Sequence, residues 1–245
     1  MTNLLPENEV HVWYCFCNDP AVVAQENEYM GLLAAEEVAR YERFAFEQDR
    51  RRFLVARGLL RTTLCRYVPL DPAAWRFEQA GAGKPFLAVD SGVPPLQFNI
   101  SHSQQLAACA VTLNRRVGVD VESVTRRTSQ RIVKYVLSEH ELSHYGSTAG
   151  EAQRELFYRY WTLKEAYAKG LGVGLSLRFN EFSFHLAEQG PPSLGLNPSE
   201  PGSDWAFHQQ RVPPHYWLAV AVEGRSEDRP LFRVQSVSPL VKHRA

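Results

Sequence analysis

Hydrophobic positions along this chain switch between two periods. From Val10 to Cys17 (VHVWYCFC) β-branched and aromatic residues run together and predict a strand. Residues 27–48 carry a helical spacing, as one helix or two short ones. Residues 49–68 (DRRRFLVARGLLRTTLCRYV) predict an amphipathic helix. Phe53, Leu60 and Leu64 share its apolar face, Arg50, Arg51, Arg57 and Arg61 fall mostly elsewhere, and Pro69 and Pro72 end it. Short apolar runs then predict strands over 74–79, 96–101, 106–113 and 117–122. Ser138 to Glu141 has the S-x-x-E spacing of a capping box, which opens a short helix. Residues 151–169 predict a second long helix, stopped by Gly170 and Gly172. Beyond it, strands over 179–186, 204–210, 215–223 and 230–236 alternate with loops, and the Pro/Gly/Ser-rich stretch 190–204 predicts a mobile one.

Each half therefore pairs one long helix with several short strands. That predicts an α+β fold of two lobes, each a small, mainly antiparallel sheet packed with a long helix, meeting near residue 115. The expected division is 1–115 and 116–245. No βαβα alternation supports a doubly wound parallel sheet, and no residue-level repeat relates the halves.

Composition narrows the class. With 245 residues, 44% of them apolar, the chain can bury a substantial core. Basic and acidic residues number 27 each, which argues against a protein dominated by nonspecific nucleic-acid binding. Cys15, Cys17, Cys65 and Cys109 lack zinc-ribbon spacing and read as buried, reduced thiols. The N-terminus has no basic segment followed by an apolar core, and no apolar run approaches the roughly 18 residues of a membrane helix. A soluble, cytoplasmic protein with no membrane partner is the expectation.

The candidate chemistry begins at Val117-Gly-Val-Asp120-Val-Glu122. On a strand, Asp120 and Glu122 point to the same face. Two adjacent carboxylates repel unless a cation lies between them, and an all-oxygen pair suits a hard ion such as Mg²⁺. A solvated edge strand with two surface acids is the other reading. On the 151–169 helix, Trp161, Glu165 and Lys169 form one stripe. It reads either as an exposed ion pair beside a packed Trp, or as a third carboxylate set against the Asp120/Glu122 pair, with Lys164 and Lys169 neutralising phosphate. Phe98-Asn-Ile-Ser101-His102-Ser103 runs from a strand into a polar turn, and Ser101 and His102 can donate to phosphate. Gly81-Ala-Gly83-Lys84-Pro85 permits close backbone approach.

Two motifs compete. His140-Glu141-Leu-Ser-His144 is formally the H-E-x-x-H of a zinc hydrolase, though it starts at a capping box and lacks a clear third ligand. Gly170-Leu-Gly172-Val-Gly174 follows a helix, the wrong context for a dinucleotide site.

Taken in order, GKP at 83–85, FNISHS at 98–103, VGVDVE at 117–122 and WTLKEAYAK at 161–169 resemble the 4′-phosphopantetheinyl transferases, specifically the two-lobed surfactin-synthetase-activating type. The likeness spans about residues 36–180 and weakens beyond. It implies two pseudo-symmetric lobes with coenzyme A between them. It also implies transfer of the 4′-phosphopantetheine arm to a serine of an apo acyl or peptidyl carrier protein, leaving 3′,5′-ADP. By resemblance, Asp120, Glu122 and Glu165 are ligands to Mg²⁺, for which Mn²⁺ could substitute. Glu165 is also the base, directly or through water, and Lys169 stabilises pyrophosphate charge. Ser101, His102 and Lys164 contact phosphate, the backbone at Gly83, Lys84 and Pro85 lines the adenine pocket, and Arg40 meets the 3′-phosphate. Where the family carries a small hydroxyl residue at that phosphate, this chain has Phe53, with Arg52 or Arg57 as substitutes. A monomer is implied, with the nucleotide side in the first lobe and the metal site and carrier contact in the second. Arg126, Arg127, Arg131 and Lys134 could face an acidic carrier or form a solvated helix face. Ile132, Val133 and Val136 would add to that contact or lie in the core.

Overall fold

The computed structural model describes residues 5–80, 84–88, 93–187, 190–195, 204–224 and 230–237. Gly83 and residues 196–203 of the expected mobile loop lie outside these. The strands are β1 (Glu9–Phe16), β2 (Phe77–Ala80), β3 (Lys84–Leu87), β4 (Leu96–Ser103), β5 (Leu106–Leu113), β6 (Val117–Ser123), β7 (Ser183–His185), β8 (Ser193–Gly195), β9 (Trp205–Val212), β10 (Tyr216–Glu223) and β11 (Leu231–Ser236). The helices are α1 (Pro20–Val23), α2 (Glu26–Met30), α3 (Ala35–Glu42), α4 (Glu47–Leu64), α5 (Gln130–Val136), α6 (Glu139–Gly146) and α7 (Gly150–Leu171). The fold is α+β. One sheet has the order β11-β1-β5-β4 and the other β6-β10-β9, with β2-β3 and β7-β8 as small hairpin-like pairs. All pairings are antiparallel except β1 with β11.

The apolar pattern explains the layering. β5 (LAACAVTL) is apolar on both faces because both are covered. On one side, Ala107, Cys109 and Val111 meet Leu54, Val55 and Leu59 of α4. On the other, Leu106, Ala108 and Ala110 meet Val117, Val119 and Val121 of β6 and Leu218 and Val220 of β10. The second sheet's far face, through Ala219 and Ala221, packs on Leu163, Ala166 and Tyr167 of α7. The order is thus helix, sheet, sheet, helix. All four cysteines are buried free thiols.

Segment 27–48 holds two short helices, α2 and α3, the second of its two readings. Several other expectations are corrected. Helix α4 ends at Leu64, well before Pro69, as Arg66 and Tyr67 turn back onto Thr63 and Leu64. β2 starts only at Phe77, since Asp71 caps a single turn at Pro72–Ala74. Gly170 lies inside α7, which ends at Gly172 in the left-handed conformation (φ 76°). The 179–186 strand shrinks to β7, and the 190–204 stretch contains β8. Arg57 and Arg61 were expected away from the core face, but both are buried. Arg61 donates to Glu37, Pro72 O and Trp75 O at 2.6, 2.9 and 3.0 Å, and Arg57 pairs with Glu37 at 3.1 Å.

Gly118 and Gly170 set how closely α7 approaches β6. A Cβ at Gly118 would stand 2.0 Å from Ala166 O and 2.4 Å from Gly170 N, and one at Gly170 would stand 2.6 Å from the Trp205 ring. Gly118→Ala should therefore push the helix off the strand. A loss of about 3 kcal/mol is expected, read as an unfolding temperature roughly 5–10 °C lower. An unchanged melting curve would show that the contact is soft.

Candidate active site

β6 separates its two faces by alternation. Val117, Val119 and Val121 enter the core between the sheets, so Gly118, Asp120 and Glu122 turn towards α7. On α7, Glu165 and Lys169 are one turn apart and face that strand. The close approach at Gly118 brings Lys169 Nζ to 2.6 Å from Asp120 Oδ1 and 3.0 Å from Ser101 Oγ on β4. Ser101 donates to the same Asp120 oxygen at 2.9 Å, and Ser103 donates to Glu122 Oε2 at 2.6 Å. Asp120 Oδ2 is buried with no hydrogen-bond partner.

The electrostatics follow from crowding. Burial raises the Asp120 carboxyl, while Lys169 and Ser101 oppose the rise. Glu122 is pushed up to about 6 by burial and by Asp120. Burial, Asp120 and Glu122 push Glu165 up to about 7 against the pull of Lys169. The structure thus brings Asp120, Glu122, Glu165, Lys169 and Ser101 together. These three carboxylates are the oxygen donors that could hold a hard cation. As they stand, no three His, Cys, Asp or Glu side chains among the described residues converge on a metal position, and the charge against Asp120 is the Lys169 ammonium.

Of two arginine-lined clefts, the first shares Glu122 with this cluster. One, of about 420 Å³, is lined by Arg52, His102, Ser103, Gln104, Glu122 and Arg126. The other, of about 620 Å³, is lined by Arg40, Arg43, Arg57, Phe44, Phe77 and Pro85, with Glu36 and Glu37. Arg40, Arg57 and Pro85 therefore share a wall, and Lys84 sits at the start of β3, paired with Ala80. The Phe53 ring lies against two guanidiniums, those of Arg40 and Arg57, 5.3 and 5.6 Å from its centroid. Burial lowers the pKa of Arg57, opposed by Glu37. Sequence reasoning missed Ser103, Arg43 and Phe77. The alternation Asn99-x-Ser101-x-Ser103, polar on one face of an otherwise apolar strand, was the available signal for Ser103.

Lys164 does not belong to this site. It is fully buried on another face of α7, donating to Phe179 O and Phe182 O at 2.5 and 2.7 Å and pairing with Glu141 Oε2 at 2.6 Å. The same contact removes the zinc-hydrolase reading. Glu141 is fully buried and also accepts the Ser138 and Phe184 N–H groups, so it cannot act as base beside His140 and His144. His144 Nδ1 bonds Tyr160 Oη at 2.8 Å, and His140 packs edge-on against His185. The H-E-x-x-H spacing here serves a capping box and a buried ion pair. Among the described residues no helix is long and apolar enough to cross a membrane.

Comparison with known proteins identifies the family. Residues 116–221 match the 4′-phosphopantetheinyl transferase superfamily model, and residues 22–114 match the 4′-phosphopantetheinyl transferase N-terminal model. The chain is 34% identical over 222 residues to the 4′-phosphopantetheinyl transferase HetI of Nostoc sp., covering 90% of each chain. It is 32% identical over 203 residues to the 4′-phosphopantetheinyl transferase Sfp of Bacillus subtilis, covering 82% of this chain and 88% of that one. Among solved structures, a holo-(acyl-carrier-protein) synthase of Bacillus anthracis in complex with CoA (3′,5′-ADP) aligns at a TM-score of 0.38 and 20% identity, covering 45% of this chain and 96% of that one. The chain belongs to the 4′-phosphopantetheinyl transferase superfamily, in its surfactin-synthetase-activating branch.

Proposed function

We propose that this enzyme moves the 4′-phosphopantetheine arm of coenzyme A onto a serine of apo acyl or peptidyl carrier proteins, with Mg²⁺, and releases 3′,5′-ADP. The observation that carries this reading is the carboxylate cluster at the rim of an arginine-lined cleft, with one buried Asp120 oxygen left unpartnered. An all-oxygen donor set with an unsatisfied buried oxygen fits a hard divalent ion, held by Asp120, Glu122 and Glu165. Bound there, Mg²⁺ would supply charge neutralisation to the pyrophosphate. Glu165 accepts the proton of the carrier serine as its oxygen attacks the β-phosphorus. The bond to the bridging oxygen breaks and the charge leaves on 3′,5′-ADP. Lys169 stabilises that charge, and Ser101 and His102 orient the phosphates.

The arginines then sort by place. Arg40 and Arg57, with the backbone at Gly83, Lys84 and Pro85, take the nucleotide end. Arg127 before α5 and Arg131 and Lys134 on it lie exposed, as do its Ile132 and Tyr135, 42% and 54% exposed. That basic and apolar face suits an acidic carrier, whereas Val133 and Val136 are core. A cytoplasmic monomer fits the reading, with the expected division into nucleotide and metal lobes at residue 115.

Intact mass spectrometry of an apo acyl carrier protein, incubated with the enzyme, coenzyme A and Mg²⁺, should show the gain of one phosphopantetheinyl arm. EDTA should abolish it. No gain on fatty-acid, polyketide or peptidyl carriers with folded enzyme would refute the reading.

A further inference from the structure

Strands β4 and β6 lie side by side but belong to different sheets. A row of side chains joins them. Asn99 Oδ1 accepts the Val119 N–H at 2.9 Å, and Ser101 Oγ and Ser103 Oγ accept the Val121 and Ser123 N–H groups, each at 3.4 Å. Acceptors two residues apart on one strand thus meet N–H groups two apart on the other, the period that both strands impose. These side chains stand in for the main-chain ladder.

The two serines have a second use. Each spends its single hydroxyl proton on a carboxylate of the neighbouring strand: Ser101 on Asp120 at 2.9 Å, Ser103 on Glu122 at 2.6 Å. Ser103 is buried, and its bond to Glu122 has the short length of a charge-assisted hydrogen bond. Asn99 takes part in the seam but, among the described residues, donates to no carboxylate.

Resting on the transferase reading above, we propose that Ser103 is a positioning residue. Its hydroxyl fixes one oxygen of Glu122 from the neighbouring strand, leaving the other to a cation, and so sets the geometry of the carboxylate cluster and its affinity for metal. Partners of this kind, which orient a ligating carboxylate, tune metal affinity strongly.

The test uses the full chain with saturating coenzyme A. Mn²⁺ is titrated in and the free ion is read by electron paramagnetic resonance, alongside kcat and KM for carrier and an unfolding temperature. Ser103→Ala should weaken Mn²⁺ binding roughly tenfold and lower kcat more than it raises KM. Ser103→Thr, which keeps the hydroxyl, should restore binding. Asn99→Ala should lower the unfolding temperature and leave the Mn²⁺ dissociation constant unchanged. The proposal is overturned if Ser103→Ala binds Mn²⁺ as the wild type does, or if Asn99→Ala weakens binding equally, which would reduce the seam to a sheet contact. A wild type that neither binds Mn²⁺ nor transfers the arm sinks the transferase reading first and this one with it.

Discussion

Glu165→Gln should unfold at a higher temperature than the wild type at pH 8 in EDTA, and yet lose transfer by a factor on the order of 10²–10⁴. The two effects share one cause. Burial, Asp120 and Glu122 push the Glu165 carboxyl from its ordinary 4.5 to about 7. The folded state thus holds the proton more tightly than the unfolded chain does. Its contribution to stability is full below about pH 4.5 and is lost as pH rises through about 7. Above that, the ionised form costs roughly 3 kcal/mol. Glutamine keeps the shape without the charge, so the gain should be about 5–10 °C at pH 8 and should vanish near pH 5. Thermal unfolding at the two pH values decides it. A variant that melts lower at pH 8, or gains equally at both, would mean that the cluster does not strain this carboxylate.

Lys164→Met should cost stability rather than coenzyme A affinity. The ammonium is fully buried, and burial lowers its pKa while Glu141 holds it charged. Removing it leaves Glu141 as an uncompensated buried carboxylate and strands the Phe179 and Phe182 carbonyls, a loss of about 3–5 kcal/mol. An unfolding temperature roughly 10 °C lower follows. Adding Glu141→Gln should recover part of it, since the neutral side chain still accepts the Phe184 N–H. Denaturant unfolding of single and double variants measures the coupling. A Lys164→Met protein as stable as the wild type but with raised KM for coenzyme A would return Lys164 to the cleft.

Lys164 shows where sequence reading stopped. Residues 164 and 165 lie about 100° apart on a helix, so only one of them can face β6. The WTLKEAYAK motif marks both as polar, and only the packing of Phe179 and Phe182 on α7 tells which is buried. The same holds for His140-Glu141-x-x-His144, where the capping box was legible but the inward turn of Glu141 depended on a lysine 23 residues on. In α4, the buried Arg57 and Arg61 read as polar-face residues, because their partner Glu37 belongs to another helix. What was legible rested on short periods. The same-face pair Asp120 and Glu122, the one-turn pair Glu165 and Lys169, and the strand over 106–113 all follow from local geometry. The meeting of β4 and β6 through side chains does not, since no period in one strand announces the other.

The parallel pairing of β11 with β1 sets Leu231 beside Glu9 and Ser236 beside Tyr14, and Arg233 grips Glu9 at 2.6 and 2.9 Å. During synthesis the ribosome delivers β1 first and its outer neighbour last. The first sheet therefore keeps β1 open on that side until β11, more than 200 residues later, has emerged, and this closure is a long-range step of the kind that slows folding. Without β11, the outer side of β1 would stand bare, a template for pairing with other chains.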